Sequence, residues 1–161
     1  MVIVLMGVSG CGKTTVGREL AALLGWHFED ADPHHPPENV AKMRAGIPLT
    51  EADRVPWLEK LASLVEGWNA TGQSTVLGCS ALSRRAREIL GVGRPDVLLV
   101  HLVGSEELLR ERLERRAGHY FPASLLASQF AALEQPTDAV DVDVAPAPAA
   151  IAAEIRRRLG L

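Results

Sequence analysis

Eight consecutive residues near the start of the chain, Gly7-Val8-Ser9-Gly10-Cys11-Gly12-Lys13-Thr14, carry the spacing G-x-x-x-x-G-K-[ST]. Glycines at those positions let the backbone fold closely round a phosphate chain with its N–H groups turned inward. Lys13 then reaches the β- and γ-phosphates, and the Thr14 hydroxyl is placed to ligate Mg²⁺. The candidate nucleotide-binding residues are Gly7, Ser9, Gly10, Cys11, Gly12, Lys13, Thr14 and Thr15, with Lys13 also catalytic and Thr14 the metal ligand. The chemistry implied is the binding of a nucleoside triphosphate.

Phosphoryl transfer needs an acceptor site and charge stabilisation beside such a loop. Asp32 offers a carboxylate to take a hydroxyl proton or to hold Mg²⁺ through water; a helix cap or turn aspartate is the plainer alternative. His35, ahead of Pro36, offers a hydrogen bond to a polyol hydroxyl or a structural role. Lys42 and Arg44 read as a cationic face or a solvated one. Arg112 and Arg116, four apart, share a helix face and suit a lid over triphosphate oxygens, or form a surface pair with Glu111 and Glu114.

These groups work only if ordered elements hold them. The apolar run Val2-Ile3-Val4-Leu5-Met6 predicts a strand entering the loop, and Thr14 to Leu24 predicts a helix leaving it. Residues 74–79 and 97–102 read as buried strands, 140–144 as a less buried one, and 26–29 as a short one. Helical stretches are expected over 14–24, 53–70, 83–90, 105–117 and 148–159. Strands alternating with helices predict a doubly wound parallel α/β sheet, with ligands at the carboxyl ends of its strands.

Two stretches break the alternation. Residues 30–56 hold five prolines (Pro33, Pro36, Pro37, Pro48, Pro56), read as lying outside helix interiors, and many polar groups. Residues 115–136 hold Arg115, Arg116, His119 and Gln129 and close on Gln135-Pro136. Both are expected to lie over the active site. Residues 145–150 read as a loop into the last helix.

The 161 residues, 47% hydrophobic and 23% charged, fit one globular domain. A net charge of −3 argues against nucleic acid as the principal partner. No apolar stretch approaches a membrane span, and the opening run reads as a core strand, not a secretory signal. Cys11 and Cys79 make no disulfide framework, so the expected compartment is the cytoplasm. A guanine-reading Asn-Lys-x-Asp motif is absent, which weighs against a GTPase switch.

Asp32-Pro33-His34-His35-Pro36-Pro37-Glu38-Asn39, followed by Lys42 to Leu49 and Asp53-Arg54-Val55-Pro56-Trp57-Leu58, resembles the gluconokinase family. Cys79-Ser80-Ala81-Leu82, Gly118-His119-Tyr120-Phe121-Pro122 and Ser128-Gln129-Phe130 are similar to the same family. The likeness runs from about residue 3 to residue 144. It implies a P-loop kinase three-layer fold: a parallel five-stranded sheet flanked by helices, an acceptor-binding segment over about 32–70 and a lid over about 115–136. It also implies transfer of a phosphoryl group from ATP·Mg²⁺ to the 6-hydroxyl of D-gluconate. Asp32 would orient or deprotonate that hydroxyl, and Arg112 and Arg116 would stabilise the transferring group. His35, Lys42, Arg54, Arg87, His119 and Gln129 would bind the sugar acid. A homodimer is compatible with the resemblance, and a kinase of another sugar acid or of shikimate is the nearest rival. The chain departs from the family pattern at Ala31 (often glycine), Ser83 and Ala117 (often lysine) and Ala86 (often aromatic).

Overall fold

A computed structural model describes residues 1–116 and 123–161. Five parallel strands, β1 (Val2–Met6), β2 (His27–Asp30), β3 (Thr75–Gly78), β4 (Val97–Val103) and β5 (Val140–Asp143), form one sheet in the order β2-β3-β1-β4-β5. The helices are α1 (Lys13–Leu24), α2 (Pro37–Arg44), α3 (Glu51–Thr71), α4 (Arg84–Ile89), α5 (Glu106–Glu114), α6 (Leu126–Ala132) and α7 (Pro148–Leu159).

The central strand shows how the layers arise. Side chains alternate across a strand, so Ile3 and Leu5 face one side of the sheet while Val2, Val4 and Met6 face the other. All five are fully buried, as a strand covered on both faces requires. Val16 and Leu20 of α1, Leu109 of α5 and Ile151 and Ile155 of α7 fill the first side. Trp57, Leu58, Leu61 and Val65 of α3 and Leu90, just after α4, fill the second. Gly17 lets α1 lie tight on β2, because a Cβ there would sit 2.4 Å from the Phe28 ring. Among the described residues no helix is long and apolar enough to cross a membrane.

β1 lies between β3 and β4, and the chain leaves it and β3 in different directions, so a crevice opens at their carboxyl ends. Three expectations need correction. Pro56 lies inside α3, where it removes one helical hydrogen bond; it and Ala52 are both exposed, so water reaches the released carbonyl. The helix expected over 105–117 ends at Glu114, which leaves Arg116 beyond the helix that carries Arg112. Residues 126–132, not among the helices expected from the sequence, form α6.

Candidate active site

The loop leaving β1 is held open by its own glycines. Gly10 and Gly12 have φ of 82° and 94°, a region that side chains rarely adopt. Gly7 has no room for a Cβ, which would meet Cys11 Sγ at 2.7 Å and the Leu102 carbonyl at 2.9 Å. Cys11 is fully buried beneath the loop. The first turn of α1 itself contains no acidic residue, and the positive end of the helix points at the loop. Lys13 Nζ lies over the loop and donates to the carbonyls of Gly7 (2.9 Å) and Val8 (3.1 Å).

Asp30, at the end of β2, was not singled out from the sequence. Its Oδ2 accepts the Thr14 hydroxyl at 2.8 Å, and its Oδ1 accepts the Asp32 backbone N–H at 3.0 Å. One carboxylate thus ties the end of the phosphate loop to the residue expected to handle the acceptor. The only local signal was its place two residues before Asp32 at a strand's carboxyl end.

Three depressions run together across this face. The middle one holds Ser9, Lys13, Thr14, Asp30, Asp32 and Arg116. Ser9, Lys13 and Asp32 also line a second, with His35, Arg54, Trp57, Ser80 and Gln129. Gly10, Gly12, Thr15 and Arg116 pass from the middle one into a third, lined by Arg112, Arg115, Val144, Pro146 and Pro148. The result is one trough with a polar, partly aromatic end, a middle that holds the loop lysine, and an apolar end framed by arginines.

The polar end is assembled from distant parts of the chain. Trp57, buried in α3, donates its indole N–H to the Ala31 carbonyl (2.8 Å) and stacks on His35 with ring centroids 4.0 Å apart. Burial, reinforced by the nearby Arg54 charge, holds the His35 imidazole down at about 4. Gln129 of α6 accepts the Ser9 backbone N–H at 2.7 Å, joining the far wall of the cleft to the phosphate loop. Arg116 lines the middle and apolar depressions, whereas Arg112 lines only the apolar one and donates to the Val144 carbonyl at 2.8 Å. His119 lies outside the described residues.

A protein-family profile for an AAA domain matches residues 3–120. The gluconokinase of Gluconobacter oxydans (strain 621H) is 51% identical over 136 residues, covering 84% of this chain and 76% of that protein. A sugar kinase from Janibacter sp. HTCC2649, solved without ligand, matches with a TM-score of 0.91 at 42% identity, over 99% of this chain and 94% of the other. A gluconokinase structure from Sinorhizobium meliloti 1021 matches at 0.80 and 42% identity, over 99% and 95%. The chain belongs to the gluconokinase family.

Two residues expected to grip the acceptor in this gluconokinase-family chain sit elsewhere. Lys42 Nζ is held by Asp53 Oδ2 at 2.8 Å, and that carboxylate also accepts the Thr50 N–H in a capping box that starts α3. Arg87 is buried, and its guanidinium donates to the carbonyls of Ala81 (3.0 Å), Leu82 (2.9 Å) and Glu134 (3.0 Å). Ala81 has φ of 43°, a strained value for alanine, and Arg87 grips the turn that contains it. That turn brings Ser80 to the cleft, where its carbonyl accepts the Gly7 N–H at 3.3 Å. Lys42 and Arg87 therefore brace the cleft without lining it.

The departures from the family pattern also find local reasons. Ala31 has ordinary right-handed helical angles (φ −71°, ψ −26°), so glycine is not required there. Ser83 caps α4, its hydroxyl accepting the Ala86 N–H at 3.1 Å. Ala86 is buried in the α3-side core. Ala117 lies outside the described residues.

Proposed function

We propose that this chain catalyses the ATP-dependent phosphorylation of D-gluconate at its 6-hydroxyl, giving 6-phospho-D-gluconate and ADP. The observation that carries the reading is the shared wall of the trough: Lys13 and Asp32 line both the middle, beside the phosphate loop, and the polar end. A donor phosphate and an acceptor hydroxyl held on either side of that wall meet between those two residues.

The nucleotide lies with its phosphates on the Gly7–Thr15 loop and its nucleoside toward Val144, Pro146 and Pro148. The donor set fits Mg²⁺: a hard cation takes oxygen ligands and keeps several waters, and Thr14 Oγ1 and the Asp30 carboxylate supply oxygens at 2.8 Å from each other. When bound, Mg²⁺ neutralises phosphate charge and orients the terminal phosphate. Asp32 accepts the proton of the 6-hydroxyl as that oxygen bonds to the γ-phosphorus and the bond to the ADP oxygen breaks. Lys13 and Arg116 stabilise the negative charge spread over the transferring group. Arg112 acts one step away, steadying the Val144 carbonyl at the nucleoside end. Arg54, His35 and Gln129 contact the hydroxyls and carboxylate of gluconate, with His119 a further candidate. In this reading α6, tied to the phosphate loop through Gln129, helps to keep out water, which would otherwise take the phosphoryl group.

A coupled assay with ATP, Mg²⁺ and a panel of acceptors tests this. Gluconate is expected to turn over fastest; faster turnover on shikimate, or ATP hydrolysis with no acceptor phosphorylated, overturns the reading.

A further inference from the structure

Asn39 stands in the first turn of α2 and is 3% exposed. Its amide nitrogen is 2.9 Å from the Asp53 backbone carbonyl and 3.2 Å from His35 Nδ1. A carbonyl oxygen only accepts, so the group facing Asp53 is the NH₂ and the orientation of the amide is fixed. The same NH₂ then turns its second N–H to His35 Nδ1. Two donors cannot face each other, so Nδ1 carries the lone pair and the ring proton sits on Nε2.

The ring is also fixed in place. It stacks on Trp57 with an interplanar angle of 15°, and the Trp57 indole is anchored on Ala31. With Nδ1 committed to Asn39, Nε2 has no hydrogen-bond partner among the described residues, and His35 lines the acceptor end of the trough. The charges near the ring are those of Arg54 and Asp32 in the cleft and the Lys42–Asp53 pair behind Asn39. Arg54 opposes a second ring proton.

We propose that Asn39 is a positioning residue that locks His35 as the Nε2–H tautomer, so that the ring presents a neutral N–H donor to an oxygen of the acceptor. This rests on the sugar-acid reading of the cleft and adds to it. His35 is a hydrogen-bond donor there, not a base, which leaves proton acceptance to Asp32. A donor at that point selects for an acceptor oxygen with a free lone pair, a hydroxyl or a carboxylate.

The tautomer is read directly from the nitrogen and ring-proton resonances of His35 in full-length protein labelled with ¹⁵N-histidine. The wild type is expected to show an Nε2-protonated, Nδ1-bare imidazole at pH 7, with the resonances moving when gluconate is added. An Nδ1-protonated ring or an imidazolium overturns the assignment without needing any variant. Resonances indifferent to saturating gluconate overturn the donor role. Asn39→Leu should give a mixed tautomer and raise KM for gluconate about tenfold, the worth of one well-made hydrogen bond, while KM for ATP holds. Loss of stability with an unchanged tautomer would make Asn39 merely structural and sink the proposal. Failure of the broader reading looks different: a wild-type protein that does not phosphorylate gluconate at all, whatever its histidine tautomer.

Discussion

The two ends of the trough are built by different means. The phosphate end is a run of neighbours in sequence, shaped by backbone: positive φ at Gly10 and Gly12, no space at Gly7, and a helix start behind them. The acceptor end is a set of side chains from the segment between β2 and α2, from α3, α6 and the turn after β3, braced by side-chain bonds to distant carbonyls. A phosphate chain is common to every nucleotide, so backbone N–H groups suffice to hold it. An acceptor must be told from its relatives, which takes side chains set in one orientation. Changes at the first end should therefore fall on turnover, and changes at the second on acceptor affinity and stability.

The sharpest test of that division is Lys13→Ala. It removes the one lysine charge at the phosphates while leaving the glycine frame intact, so kcat should fall about 10³-fold. Circular dichroism and the melting temperature should stay close to wild type. Near-normal turnover would remove the loop from the chemistry. Asp32→Asn comes next, on the seam between the two ends. A lost proton acceptor should lower kcat about 10²-fold with KM for ATP little changed. If the loss fell mainly on ATP or Mg²⁺ affinity, Asp32 would belong to the phosphate end.

Legibility in the sequence follows the same division. The loop, β1 and α1 could be read because every constraint on them lies within a few residues. The buried strands announced themselves as apolar runs, since a parallel strand covered on both faces has no polar side to show. What escaped depends on partners far along the chain. Asp30 matters through a bond to Thr14 from another element. Arg87, expected at the acceptor, is consumed by carbonyls at 81, 82 and 134. A charge pattern says that a cation is present but not which oxygen takes it. Pro56 was misjudged because propensity is a local average, while the buried face formed by Trp57, Leu58, Leu61 and Val65 outweighs one lost hydrogen bond.

Arg87→Met tests the bracing of the acceptor end. It keeps much of the side-chain volume and strips three carbonyls of their donor, which should cost about 3 kcal/mol. Melting should drop by roughly 6–12 °C. Because the released turn carries Ser80, KM for gluconate should rise more than KM for ATP. An equal rise in both would mean that the turn serves the phosphate loop as much as the acceptor.

The smallest effects are in pH, where two groups of the acceptor end act in separate windows. Lys42 and the Thr50 backbone hold Asp53 down at about 2, below an ordinary aspartate. Its contribution is present above about pH 4 and lost as pH falls through about 2. His35 works the other way round. Its folded-state value of about 4 lies below that of a free histidine, so the unfolded chain takes up the proton first as pH drops. Stability should thus decline between about pH 6.5 and 4 and then level off, and this part of the slope should be missing in His35→Gln. Melting curves of the wild type, His35→Gln and Asp53→Asn from pH 7 to pH 2.5 separate the two. If His35→Gln kept the whole slope between pH 6.5 and 4, the imidazole would not be held neutral by the fold, and the acceptor end would lose its fixed donor.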